Sequence, residues 1–455
     1  MYRKPLALLS LVLSLLGQAA PLPTAFPYPL KVSHLPNGLT VVRVTFPSPG
    51  LVAYVTAVRV GSRNEVEAGR SGYAHFFEHM MFRGTEKNPQ GTRERFLLKN
   101  GYEDNAFTTD DFTLYHSVGP SAALEQLLDL EADRFANLKY SEAAFQTEAK
   151  AVLGEYHKDA AGPDLKVEEA LLAAAFQKHP YRHTTLGFYK DVEAMPQGFS
   201  YSQSFFKRWY TPDNTLLFIV GDFDDSKLMT WVQAKYGPWA GNASRLAIPG
   251  EPPQREQRVA KVSWDEPTLP RLYNAWHIPG ASLKNHDTSL VTVLGAYLAG
   301  PTSPLYKTLV LEKQWAESVG DQSFEHRDPH LLVVSMTLKE ASHLEAAQKV
   351  LNAQVKALVS AKVDKKRFET IKSNLRYGML MGLETPLAVA QQLAVDAAVF
   401  GSPDALLHQV EGIEKVKPDQ LVAFARHNLV AKNRTLLTLR SKPSTAIPNA
   451  AETHR

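Results

Sequence analysis

No cysteine occurs in the 455 residues, so neither a disulfide nor a thiolate metal ligand is available. Any metal must be held by His, Asp, Glu or water. An excess of charge is lacking too: 50 Lys and Arg stand against 47 Asp and Glu, a net of +3. No basic block interrupts that balance, which argues against a nucleic-acid partner. Long apolar runs are missing after the first twenty residues, so no later segment reads as a membrane span. The one apolar run, Leu6 to Leu16, follows Arg3 and Lys4 and precedes the small residues Gly17, Ala19 and Ala20. That order is a secretory signal peptide over residues 1–20; the alternative is an uncleaved signal acting as an anchor. A secreted or periplasmic protein is the expectation.

What is present is an ordinary globular composition, 44% hydrophobic and 21% charged. The length exceeds what one core usually supports, so two domains are expected. Strand patterns at Leu39–Val42, Leu51–Val60, Thr108–Val118 and Leu216–Val220 alternate with helical patterns at 72–82, 123–138 and 141–158. Ser71 reads as the N-cap of the first helix. Residues 241–256 are rich in Pro and Gly and read as a linker. Beyond it come a strand at Leu272–Ile278, a helix from Ser289, a strand at Leu331–Leu338, and helices at 342–360 and 364–383. The reading is α+β in both halves: a first domain over 26–240, a second over 257–441, and a polar tail over 442–455. The halves echo one another. Asp213-Asn214-Thr215-Leu216-Leu217 recurs in character as Lys432-Asn433-Arg434-Thr435-Leu436, an offset of 433 − 214 = 219 residues.

The chemistry is concentrated in Gly72-Tyr73-Ala74-His75-Phe76-Phe77-Glu78-His79-Met80. On a helix, residues four apart lie over one another, so His75 and His79 can face one ion, with Glu78 on the same side. Zinc accepts imidazole nitrogens and leaves a position for water, whose proton a nearby carboxylate can take. His-x-x-Glu-His is the inverted zincin order. A third protein ligand is needed. Glu148 and Glu155, two turns apart on the 141–158 helix, share a face. Pattern alone leaves them open as ligand candidates or as two solvated carboxylates.

Other segments bear on that choice: Asn37-Gly38-Leu39-Thr40-Val41, Asn105-Ala106-Phe107-Thr108-Thr109, Ala132-Asp133-Arg134, His179-Pro180-Tyr181, Val220-Gly221-Asp222-Phe223, Ser303-Pro304-Leu305-Tyr306-Lys307 and Leu311-Glu312-Lys313. With the histidine motif they make the chain resemble the pitrilysin-type metallopeptidases, which include insulin-degrading enzyme and the mitochondrial processing peptidase. The resemblance implies two tandem, similar domains facing each other around a chamber, each a mostly antiparallel sheet packed with helices, the second inactive. It implies one Zn2+ held by His75, His79 and Glu155, the last 155 − 79 = 76 residues past the motif. Glu78 is then the catalytic base, and Glu148 supports the site from outside the ligand set. Asn105, Ala106 and Phe107 are the expected edge-strand binding residues for a peptide substrate. The activity implied is zinc-dependent endopeptidase hydrolysis; the alternative is a non-catalytic assembly or chaperone-like subunit of the same fold. One departure stands out. Active single-chain relatives carry a substrate-contacting Arg and Tyr in the second half, where this chain has Val310 (or Leu311) and Glu317. The expectation is a homologous sister subunit supplying both, or a dimer.

Overall fold

The computed structural model describes residues 28–323 and 325–442. Six strands build the first sheet: β1 (Leu30–His34), β2 (Thr40–Thr45), β3 (Leu51–Val58), β4 (Glu103–Thr108), β5 (Thr113–Pro120) and β6 (Thr215–Gly221). Their order is β1-β2-β6-β3-β5-β4. Five more build the second: β7 (Arg258–Trp264), β8 (Arg271–Ile278), β9 (Ala316–Gln322), β10 (His330–Leu338) and β11 (Arg434–Ser441), in the order β7-β11-β8-β10-β9. Each sheet is antiparallel except for one parallel pair, β2 with β6 and β7 with β11. The second sheet therefore repeats the first, strand for strand, without a counterpart to β1.

The repeat glimpsed around Asn214 and Asn433 has a physical basis. Asn214 Nδ2 donates to the carbonyl of Trp209 at 2.9 Å, and Asn433 Nδ2 donates to that of Asn428 at 2.9 Å. Each amide closes the turn that drops the chain from a helix into the last strand of its sheet.

Strand β6 is buried along its whole length, and β3 along all but Leu51. Continuous apolar strands of this kind need cover on both faces. One face of the first sheet packs on helices of its own half, with Phe76, Phe77, Phe135 and Phe145 in that core. The other face is covered from the far half, by the helix Pro386–Val399. Its Val389, Ala390, Leu393, Ala394 and Ala397 pack on Val42, Val55, Phe218 and Val220. The exchange is reciprocal. The helix Pro163–Ala175 of the first half packs on β7 and β11, with Val167, Leu171 and Leu172 against Val262, Leu437 and Leu439.

Between the sheets, residues 237–257 are irregular but anchored. The Glu251 carboxylate accepts the N–H groups of Gln177, Lys178 and His179, and Asp213 accepts that of Ala243. The expected signal peptide and, from residue 443 on, the polar tail lie outside the described residues. Among the described residues no helix is long and apolar enough to cross a membrane.

Candidate metal centre

The motif lies on the helix Tyr73–Met80, whose Phe76, Phe77 and Met80 are sunk in the core. Its start differs from the expected Ser71 cap. Gly72 takes the N-cap position at φ +88°, with the Leu186 carbonyl where a Cβ would sit. Ser71 turns away from the helix instead, into a buried contact: its Oγ donates to Asp191 at 2.6 Å and accepts from the Phe188 N–H. The orphan N–H groups of the first turn are met by Glu65, which accepts from Gly72 and Ala74, both at 2.7 Å. A short hydroxyl reaches one donor; the longer carboxylate bridges two.

Burial pushes the Glu65 carboxyl up to about 8, against the pull of those N–H groups. Removing the acceptor in Glu65→Ala leaves two buried donors unmet and should destabilise the fold by about 2–4 kcal/mol. The native state holds this proton more tightly than the unfolded chain does. Its stabilising contribution is therefore complete below the ordinary carboxyl range and fades as pH rises through about 8. Glu65→Gln, which cannot titrate, should flatten that slope in denaturant melts run across the range.

Across the motif helix lies the helix Glu142–Ala160, started by Ser141, whose Oγ accepts from the Ala144 N–H. Its two glutamates meet the two nitrogens of one ring. Glu148 Oε1 is 3.0 Å from His79 Nδ1, and Glu155 Oε2 is 3.4 Å from His79 Nε2. Glu155 Oε2 also lies 3.5 Å from His75 Nε2. Bonds of about 2.1 Å at tetrahedral angles require donors roughly 3.4 Å apart, so the set His75, His79 and Glu155 fits a zinc ion. The same three form one of the chain's groups of metal-competent donors.

Burial lowers the His75 pKa to about 4, and nearby His79 adds to it, so this ring is neutral and able to ligate at neutral pH. His75 Nδ1 is buried without a hydrogen-bond partner, so packing rather than a polar contact holds the ring. His79 is shifted the other way, chiefly by its hydrogen bond to Glu148. Burial would push Glu148 up, but hydrogen bonds from His79 and Arg83 outweigh it and hold the carboxyl ionised. Arg83 Nε binds Glu148 Oε2 at 2.6 Å.

Glu78 stands between the two histidines on the same helix and lines one cavity with His79. Its Oε2 accepts from the Thr108 hydroxyl at 2.6 Å, and burial raises its pKa against that hydrogen bond. Thr108 ends β4, the outermost strand of the first sheet. Asn105, Ala106 and Phe107 precede it, facing His116, Tyr115 and Leu114 of β5 on the one paired side. Asn105 is exposed, and its Oδ1 accepts from the Ala106 N–H at 2.8 Å. An open cavity of about 470 Å³ joins these parts, lined by Glu78, His79, Arg83, Asn105 and Glu148 among others.

Glu78, His79, Asn105, Ala106 and Glu148 border one cavity, and His75 and Glu155 meet beside it; Phe107 does not line it but packs with Phe112 against the core under the helix Pro386–Val399. Three partners were missed: Thr108 on Glu78, Arg83 on Glu148, and Glu65 beneath the helix. Arg83 was within reach of the pattern, standing one turn beyond His79. The other two depend on chain crossings that no local spacing reports.

Among the described residues, the equivalent helix of the second half offers no such centre. The helix Asp287–Ala299, which follows β8 as the motif helix follows β3, carries neither His nor Glu. Val310 sits in the π-wound turn Lys307–Glu312, and Glu317 is exposed on β9.

A doubled sheet-and-helix unit with an inverted zincin helix in one copy defines a metallopeptidase-type protein. Residues 50–187 match the family described as "Insulinase (Peptidase family M16)", and residues 202–375 match "Peptidase M16 inactive domain". The chain belongs to peptidase family M16. It is 27% identical to the zinc protease PqqE of Helicobacter pylori over 395 residues, 85% of this chain and 87% of that one. It is 22% identical to the mitochondrial-processing peptidase subunit beta of Saccharomyces cerevisiae, covering 92% and 93% of the two chains. The solved structure of a protease from Helicobacter pylori superposes with a TM-score of 0.84 at 25% identity, over 91% of this chain and 99% of that one. The periplasmic protease PqqL of Escherichia coli shares the fold, with a TM-score of 0.74 at 17% identity over 90% of this chain and 47% of that one.

Proposed function

We propose that this chain is a zinc-dependent endopeptidase that hydrolyses peptides or unfolded segments, with His75, His79 and Glu155 as the metal ligands. The observation that carries the reading is the convergence of two imidazole nitrogens and one carboxylate at 3.4–3.5 Å, with a second carboxylate, Glu78, beside them. Zinc held there would polarise the scissile carbonyl and acidify a water molecule. Glu78 is the group to accept that water's proton and pass it to the leaving amine. Its burial suits the task, because a raised pKa brings acceptance and return of a proton closer in energy. The Thr108 hydroxyl fixes which oxygen faces the reaction. Glu148, held by Arg83, keeps His79 turned so that Nε2 faces the ion.

The substrate would lie along the open side of β4, beside Asn105, Ala106 and Phe107, as an added antiparallel strand. Backbone pairing of that kind binds extended chains with little side-chain preference. Val310 and Glu317 offer no cationic or phenolic donor, so a sister subunit bringing Arg and Tyr across the site completes the proposal. Peptidase assays of the purified chain alone and with its candidate sister test this; full activity as a monomer would rule the partner out. A periplasmic or secreted location is part of the proposal; the signal-like pattern of residues 1–20 and the fold shared with a periplasmic protease support it.

The ligand assignment is tested separately. His75→Ala should lose both bound zinc and peptide cleavage. Glu148→Gln should keep the fold but weaken zinc binding about 10–100-fold, read by competition with a chelator. A chain that purifies without zinc and takes up none on titration would instead point to the non-catalytic subunit reading.

A further inference from the structure

The cavity beside the metal centre has one wall that the proposed chemistry leaves unused. The helix Thr92–Asn100 runs from Gly91 to Gly101, and the chain there turns directly into β4. Gly91 and Glu94 line the same cavity as Glu78, His79, Asn105 and Ala106. Leu98 stands one turn further along, toward the start of β4, and is 84% exposed, more than any other large apolar side chain among the described residues. Residues four apart share a helix face, so Glu94 and Leu98 look the same way.

The other charges here are matched. Glu148 is held by His79 and Arg83, and Glu78 by the Thr108 hydroxyl. Arg93 turns inward to Glu131 and Asp104, both at 2.6 Å, and Arg95 folds back on Thr92 Oγ1 at 3.2 Å. The Glu94 carboxylate forms no ion pair or hydrogen bond with any described residue. A helix dipole favours an acid in its first turn wherever that acid points. It gives no reason for the acid to face this cleft with no cation beside it.

Strand β4 shows how a bound peptide would present its side chains. Asp104 meets Arg93, Ala106 packs among the helices of the first half, and Thr108 meets Glu78, so these alternate residues mark one face. Phe107 lies on the other, toward the helix Pro386–Val399. Every second side chain of an added strand points to the first face too. Such side chains are about 6.8 Å apart, and Glu94 and Leu98 are about 6 Å apart along their helix, so two in succession match the two positions. An antiparallel peptide runs from Thr108 toward the start of β4. The residues beside Glu94 and Leu98 are therefore those on the carboxyl side of the bond to be cut.

On the strand-addition reading above, we propose that Glu94 and Leu98 set the substrate class: extended peptides with Lys or Arg as the first side chain on the helix face past the scissile bond, and an apolar residue two positions later. The cation meets an unpaired carboxylate in a partly enclosed cleft, where attraction is screened less than on open surface. The apolar residue and Leu98 exclude water from one another.

The test compares unstructured peptides that differ only at these positions, using the zinc-loaded full chain, alone and with its candidate sister. Mass spectrometry locates the cuts, initial rates give kcat/KM, and anisotropy of labelled peptides reports binding separately. Lys or Arg should be preferred to Glu. Glu94→Gln should lower kcat/KM for the basic peptides about 3–10-fold, through KM, and far less for neutral ones. Glu94→Lys should invert the preference, added salt should shrink it, and Leu98→Ala should lose only the apolar preference. If Glu94 serves the helix dipole alone, Glu94→Gln will lower the melting temperature and leave the peptide ranking as it was, which would overturn the proposal. So would wild-type protein that cuts and binds basic and acidic peptides equally. Protein that cuts nothing yet binds basic peptides better, with Glu94 required, would end the endopeptidase reading and leave the peptide preference standing; protein that neither cuts nor binds would overturn both.

Discussion

Glu78→Gln should lower peptide hydrolysis by two to four orders of magnitude, about the contribution of a placed general base, while zinc content stays unchanged. The amide keeps the size of the carboxylate and can still accept from the Thr108 hydroxyl, so the helix and its histidines should remain in place. What it loses is the capacity to hold a proton. The separation from the His75→Ala result is the informative part: one variant keeps the metal and loses turnover, the other loses both. Zinc analysis and steady-state cleavage of an unstructured peptide, measured on the same samples, decide it. Turnover within a few-fold of wild type in Glu78→Gln would remove this residue from the chemistry.

The second large effect concerns the fold. Residues 28–240 expressed alone should fail to give a cooperative melt and should aggregate, as should residues 257–442, whereas co-expression of the two pieces should restore a soluble complex. Each piece lacks the helix that covers one face of its sheet. The first loses Pro386–Val399, exposing Val42, Val44, Val55, Phe218 and Val220, all buried in the intact chain. The second loses Pro163–Ala175 from over Val262, Leu437 and Leu439. At about 25 cal/mol per Å² of apolar surface, an uncovered sheet face forfeits several kcal/mol, comparable to the whole stability of a domain. An isolated first piece melting near the temperature of the full chain would show that the exchanged helix is dispensable.

How far the sequence reaches is clear from particular elements. The histidine motif was legible because its two rings and glutamate lie within five residues on one helix, where 3.6 residues per turn determines which side chains share a face. Glu148 and Glu155 were legible as a pair for the same reason, since two turns of one helix separate them. That they meet opposite nitrogens of His79 was not, because it depends on how two helices cross. Asn214 and Asn433 were visible as a repeat, while their shared task of closing a helix-to-strand turn came from the backbone around them. Ser71 misled: local pattern favours a hydroxyl cap, yet a carboxylate seven residues before Gly72 reaches the same N–H groups.

By itself, then, the amino-acid order determined what depends on neighbours along the chain: helices and strands, the donors available to a metal, and the absence of thiolate chemistry. Only the tertiary structure decided which glutamate faces which nitrogen, that Thr108 holds Glu78, and that the halves trade helices. The reason is one of range. Backbone periodicity and side-chain type act over a few residues, whereas these contacts join positions tens to hundreds apart, brought together only when two apolar sheet faces are both covered.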